Sequence, residues 1–156
     1  MAQAAVAAAE TRRLCLLAVP AAAPRAGLGY MQLGRGEGWR EVVRFVEKPA
    51  APAQLLAQGG DWAWNTGQFI APAECFARLF RRHAPALWQI AGTSVDRAEP
   101  DRNGAWRLDA TAYEKAPALS FDHAIAERTE LIAIAPDIVW DDLGTVESWQ
   151  AHNRIA

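Results

Sequence analysis

Six consecutive apolar residues, Leu14-Cys15-Leu16-Leu17-Ala18-Val19, are stopped by Pro20 and constrain the fold more than any other stretch. A run this short has the length of a strand, and a strand without polar alternation must be covered on both faces. Such a strand needs a sheet with helices to pack on it, so the chain reads as α/β. Helical partners are at hand: Ala4 to Arg13 has the alanine content of a helix and feeds straight into the run. A second apolar strand, Leu131-Ile132-Ala133-Ile134-Ala135, ends at Pro136.

The intervening chain supplies the rest of a mixed sheet with flanking helices. Gly29 to Leu33 and Trp39 to Val46 flank the glycine-rich turn Gly34-Arg35-Gly36-Glu37-Gly38, so they predict an antiparallel hairpin. Pro52 to Gln58 suits a short helix with proline in its first turn, closed by Gly59-Gly60. Asp61 to Ala71, with Trp62 and Trp64, leads into another strand. Pro72 to His83 places Phe76, Leu79 and Phe80 at helical spacing, and Arg81-Arg82-His83 reads as a solvated helix end. Ala86 to Val95 continues as helix, Glu99 to Gly104 as a polar loop, and Asp109 to Lys115 as a helical turn. Ser120 to Arg128 reads as a helix capped by Ser120, and Thr145 to Arg154 as a helix capped by Thr145.

At 156 residues the chain suits one domain, 1–156, with a single core. A net charge of −2 offers no basic field for nucleic acid. No apolar run approaches the roughly 20 residues of a membrane span, and the alanine-rich start lacks the positive region of an export signal. Cys15 and Cys75 have neither Cys-x-x-Cys spacing nor polar settings and read as buried, reduced thiols. Together these features predict a cytoplasmic protein.

Three short stretches offer site chemistry. In Arg44-Phe45-Val46-Glu47-Lys48-Pro49 an acid and a base stand side by side where a strand is stopped by proline; Asn65-Thr66-Gly67 joins an amide to a glycine; Asp141-Asp142-Leu143-Gly144 pairs carboxylates beside a tight turn. Taken singly, each has an ordinary explanation as a soluble strand end, a capped turn or a plain turn. His123 beside Asp122 has no metal-spaced partner and reads as structural. As a set, the three stretches offer hydrogen-bonding groups for sugar hydroxyls, a cation for a phosphate and a carboxylate for a metal, which suits phosphoryl or nucleotidyl transfer.

Phe45-Val46-Glu47-Lys48-Pro49, Trp64-Asn65-Thr66-Gly67-Gln68-Phe69, Ser120-Phe121-Asp122-His123-Ala124 and Trp140-Asp141-Asp142-Leu143-Gly144 stand in the order and approximate spacing of sugar nucleotidyltransferases. The set most resembles the mannose-1-phosphate guanylyltransferase (GDP-mannose pyrophosphorylase) family. The resemblance implies a partial nucleotide-diphospho-sugar transferase fold, Rossmann-like, with a mixed sheet. It implies that Gly29 lies against the sugar, that Glu47 takes sugar hydroxyls, that Lys48 meets the sugar's phosphate, and that Asn65 binds the sugar in a pocket shaped by Thr66 and Gly67. It also implies that Asp142 helps to hold Mg²⁺ against the phosphates, making Lys48 and Asp142 the catalytic pair. Asp141 stands where the mannose enzymes often have serine. Leu143-Gly144-Thr145-Val146 stands where they have Val-Gly-Ser-Trp, and Gln68 where an apolar residue is usual.

The family's glycine-rich, arginine-containing nucleotide loop and a further metal-binding aspartate have no counterpart in these residues. The resemblance therefore covers the acceptor-sugar half of the domain, with the N-terminal nucleotide-binding half absent. Its implied substrates are mannose 1-phosphate and GTP, giving GDP-mannose and pyrophosphate, with weak or no activity from the chain alone. The alternatives are a non-catalytic module that binds a sugar phosphate or nucleotide sugar, and one half of a split enzyme completed by a separate polypeptide. In the acceptor-half reading, Leu14 to Val19 presents an exposed apolar sheet edge, which favours self-association.

Overall fold

The computed structural model describes residues 1–144 and 146–153, with the backbone alone at 147 and 151–153. In chain order its elements are α1 (Ala2–Thr11), β1 (Leu14–Pro20), β2 (Tyr30–Leu33), β3 (Arg40–Val46), α2 (Pro52–Ala57), β4 (Trp62–Ile70), α3 (Ala73–His83) and α4 (Pro85–Asp96). They continue with β5 (Glu99–Pro100), β6 (Trp106–Arg107), α5 (Ala110–Tyr113), α6 (Phe121–Ala124), a 3₁₀ turn (Ala126–Arg128), β7 (Leu131–Ile134) and α7 (Val146–Asn153). These form two compact units, Met1–Ala71 with Leu131–Ala156, and Pro72–Glu130.

The first unit is a mixed α/β arrangement around five strands in the order β1-β4-β2-β3-β7, closed because β7 also pairs with β1. β1 runs antiparallel to β4 and parallel to β7, and β7 is antiparallel to β3. The hairpin of β2 and β3 forms as its turn sequence predicts, with Tyr30 opposite Val46. Both neighbours of β1 are thus occupied. This corrects the expectation of an exposed apolar edge at Leu14 to Val19: β7 supplies a parallel ladder from Leu14↔Leu131 to Leu17↔Ile134. Two apolar runs of strand length satisfy each other's backbone groups over these four pairs, so Leu14 to Leu17 is not an open edge.

Pleating then divides β1 between two faces. Cys15 and Leu17 face α1, where Ala4, Ala7 and Ala8 recur at helical spacing and let the helix approach closely; Ile132 and Ile134 complete this cluster. Arg12 ends α1 in a left-handed conformation, φ 54°. Farther along the same face, Val19, Leu28, Tyr30, Leu55, Trp62 and Trp64 form a second cluster, with Val46, Leu56 and Trp140 packed against it. The Trp62 indole N–H donates to the Gly59 carbonyl at 3.0 Å, whereas the buried Trp64 N–H has no partner among the described residues.

The second unit is helical apart from the small β5–β6 hairpin, which occupies part of the stretch read as a polar loop. Asp109 caps α5 by accepting the Ala112 N–H at 2.7 Å, and Ser120 caps α6 by accepting the His123 N–H. Phe121 packs against Phe76 and Phe80, with ring centroids 5.9 and 5.6 Å apart. The helix predicted over Ser120 to Arg128 is broken after Ala124, where Ile125 leaves helical geometry (φ −126°, ψ −56°) and the chain resumes as the 3₁₀ turn. Ile125 is itself fully buried, and its insertion into the core accompanies the break. Thr145, predicted to cap the last helix, lies outside the described residues, as does Arg154. Among the described residues, no helix is long and apolar enough to cross a membrane.

Candidate functional site

The pairing of Tyr30 with both Trp64 and Val46 sets the register of the neighbouring row. One residue along, Gly29 stands between Asn65 and Glu47, and Ala18 of β1 is the partner of Asn65 on its other side. Alternation of side chains puts this row, Ala18, Asn65, Gly29 and Glu47, on the face turned away from α1 and the tryptophans. The Asn65 N–H donates to the Gly29 carbonyl at 2.8 Å, which holds the row together. A methyl group added at Gly29 would lie 2.6 Å from Glu47 Oε2 and 3.2 Å from Asn65 Cβ. The space over the glycine is thus taken up by the acid and the amide, which meet there only because the residue between them carries no side chain.

Asn65 and Glu47 are both nearly buried: Asn65 is 6% exposed and the Glu47 side chain 8%. Asn65 Oδ1 accepts the Gly67 N–H at 2.9 Å, which turns the amide so that Nδ2 lies on the Gly29 side. That bond belongs to a bulge. Between Leu16↔Phe69 and Ala18↔Asn65, β1 advances two residues while β4 advances four, so Thr66, Gly67 and Gln68 crowd opposite Leu17. Gly67 meets the bulge with φ 75°, and Thr66 Oγ1 donates to the Leu17 carbonyl at 2.9 Å, a group the disrupted ladder leaves unserved. Thr66 and Gly67 thus build the turn that aims Asn65.

Lys48 stands next in a conformation that side-chain-bearing residues avoid, φ 44°, immediately before Pro49. Its side chain is 62% exposed, and its ammonium stands 3.5 Å from Glu47 Oε1. A strained residue at the end of β3 thus brings an exposed cation beside a nearly buried carboxylate.

Asp142 is not in this row. Trp140 packs on the tryptophan face, Asp141 takes the Arg25 guanidinium at 2.7 Å, and exposed Asp142 accepts the Gly144 N–H of its own turn at 3.1 Å. The structure brings Gly29, Glu47, Lys48 and Asn65 together, with Thr66 and Gly67 behind Asn65. It leaves Asp142 on a separate segment.

Arg25 and Ala18 escape a reading of the sequence. Ala18 is merely the one alanine in an apolar run, and its alignment with Gly29 comes only from the strand register. Arg25 lies in a loop marked by Pro24 and Gly27, yet its guanidinium sits over Trp64, 5.3 Å from the ring centroid, as well as on Asp141. A lone arginine between two loop-forming residues carries no signal of either partner.

Metal chemistry can be weighed from the donors. Among the described residues no three His, Cys, Asp or Glu side chains form a metal-binding group. Asp142 offers one solvent-facing oxygen ligand, of the hard type that Mg²⁺ takes, and Asp141 is engaged by Arg25. This fits Mg²⁺ only in its shared mode, one or two carboxylates completed by phosphates and water.

Comparison with known proteins agrees with the fold. The family profile described as nucleotidyl transferase matches residues 1–156. The chain is 34% identical over 149 residues to the xanthan biosynthesis protein XanB of Xanthomonas campestris pv. campestris (strain B100), covering 94% of this chain and 31% of that protein. It is 29% identical to the mannose-1-phosphate guanylyltransferase of Escherichia coli (strain K12), covering 95% of this chain and 33% of the relative. The chain thus spans about a third of the length of the curated relatives it matches. A solved structure of a mannose-1-phosphate geranyltransferase from Thermus thermophilus superposes with a TM-score of 0.76 at 30% identity, covering 99% of this chain and 43% of that one. A Helicobacter pylori mannose-6-phosphate isomerase shares the fold, with a TM-score of 0.77 at 22% identity, over 88% of this chain and 55% of that one.

Proposed function

Because the chain belongs to the nucleotidyl transferase family, we propose that its 156 residues act as one acceptor-sugar domain of a cytoplasmic mannose-1-phosphate guanylyltransferase. The row of Asn65, Gly29 and Glu47 carries this reading: a nearly buried acid and a buried amide are gathered over a glycine, which puts an acceptor and a donor for sugar hydroxyls side by side. Glu47 accepts hydrogen bonds from sugar hydroxyls, and Asn65 Nδ2 donates to a ring substituent. Lys48, exposed and beside Glu47, turns its ammonium to the phosphate. Mannose 1-phosphate is the sugar proposed, since relatives named for that substrate cover nearly the whole chain.

In the complete reaction an oxygen of the sugar phosphate attacks the α-phosphorus of GTP. A new P–O bond forms, the bond between the α- and β-phosphates breaks, and pyrophosphate leaves. Lys48 neutralises charge on the attacking phosphate and holds it in line, while Asn65 and Glu47 orient the sugar. Asp142 would contribute one ligand to Mg²⁺, which when bound neutralises the charge of the phosphates.

Calorimetry with mannose 1-phosphate tests the pocket. Binding is expected, weakened about tenfold or more by Glu47→Gln, because a charge-assisted bond to a buried acceptor is lost. An absence of heat with wild-type protein would overturn the reading. A second reading, binding without turnover, is favoured by the place of Asp142 on a segment outside the sugar row, where it accepts a bond from its own turn. It predicts little or no GDP-mannose from the purified chain with GTP and Mg²⁺; product formation that disappears in Asp142→Ala would exclude it.

A further inference from the structure

We infer that Arg25 is a positioning residue for the Trp140–Gly144 segment, and through it for the carboxylate of Asp142; the second step rests on the metal-binding role proposed above. Arg25 is itself firmly placed. Its backbone N–H donates to Tyr30 Oη at 2.7 Å, and the Tyr30 hydroxyl donates back to the Arg25 carbonyl at 2.8 Å. Tyr30 is fully buried in β2, so this reciprocal pair fixes the loop four residues before Gly29 to the sheet. The guanidinium then lies over Trp64, the neighbour of Asn65, and donates through Nη1 to Asp141 Oδ1 at 2.7 Å.

Both charged side chains are about one-third exposed, 34% for Arg25 and 31% for Asp141, which shields the pair from solvent more than an open surface contact. Three features describe the segment that follows β7. Ile138 and Val139 stand exposed, Asp142 accepts a bond from its own turn, and Trp140 supplies an apolar anchor. A packed ring fixes a point on the chain and not a direction. The ion pair next to that ring is a second fixed point, and two points set the direction in which Asp142 leaves. Arg25 thereby links the strands of the sugar row to the carboxylate proposed for the metal.

The test pairs a structural readout with a ligand readout. Amide hydrogen exchange over residues 140–144 is expected to quicken about fivefold in both Arg25→Gln and Asp141→Asn, and the exchanged pair Arg25→Asp with Asp141→Arg is expected to restore it in part. Asp141→Asn alters a loop and keeps the test valid should an Arg25 variant fold poorly. Unchanged exchange in both single variants would overturn the inference whatever the protein's function. Mn²⁺ affinity in saturating mannose 1-phosphate, read by electron paramagnetic resonance, should fall in Asp142→Asn and by a smaller factor in Arg25→Gln, with recovery in the exchanged pair. Faster exchange with Mn²⁺ affinity lost only in Asp142→Asn would overturn the positioning role. If Asp142→Asn leaves Mn²⁺ affinity unchanged, the metal reading and its step to Asp142 fail, while the exchange data still decide the tether to the segment.

Discussion

Lys48 spends conformational energy where a glycine would not. A side-chain-bearing residue in the left-handed region costs roughly 1–2 kcal/mol, and replacing it by glycine gives back part of that gain as unfolded-chain entropy, roughly 0.5–1 kcal/mol. Lys48→Gly is therefore expected to raise unfolding stability by about 0.5–1 kcal/mol in urea melts, while sugar-phosphate affinity falls with the lost ammonium. Opposite signs for stability and binding are the signature of strain kept for function. If both fell, the left-handed turn would owe its presence to Lys48 contacts. The sequence already marked Glu47, Lys48 and Asn65 as chemically useful, because an acid, a base and an amide are legible in one dimension. Their meeting through Gly29 was not, since it depends on how β2 pairs with strands on both sides. Nor could Arg25 be read: its partners, Trp64 and Asp141, lie 39 and 116 residues away along the chain.

Among the elements, β1 shows how much an apolar run determines and where it stops. Length and composition sufficed for a strand covered on both faces, and the alanines of α1 sufficed for one of its covers. Which strand would lie alongside was beyond reach, because β7 and β4 are both apolar enough to pair with it. The polar sequence at Glu99 to Gly104 similarly concealed the first strand and turn of a hairpin whose two-residue strands are too short to carry any alternation. The closeness of α1 to β1 has a measurable effect at Cys15. Burial pushes this thiol up from 9.0 to about 11, against smaller lowering influences from the Ile134 backbone and the amino terminus. A raised folded-state value means that the unfolded thiol ionises first; its contribution is intact below pH 9 and is lost progressively as pH rises toward 11. The loss should be about 1 kcal/mol by pH 10. Urea midpoints between pH 8 and 10 are expected to fall less steeply in Cys15→Ala than in wild type, whatever cavity that change leaves; equal slopes would refute the assignment.

At the scale of the molecule, closing the sheet alters the expectation for association. An open apolar strand would recruit another copy, whereas β1 has a neighbour on each side and offers no such start over Leu14 to Leu17. Light scattering at micromolar concentration is accordingly expected to read a monomer near 17.0 kDa. A dimer abolished by polar substitution of the exposed Val139 would assign association to side chains of that segment. One abolished only by changes in β1 would contradict the closed arrangement. The closure also bears on any companion polypeptide that would add a strand to this sheet. To insert a strand beside β1, such a companion must first break the Leu14–Leu17 ladder to Leu131–Ile134. Its capture would then resemble a ring-opening reaction, limited in rate by a spontaneous breathing event and insensitive to the companion's concentration once that is high.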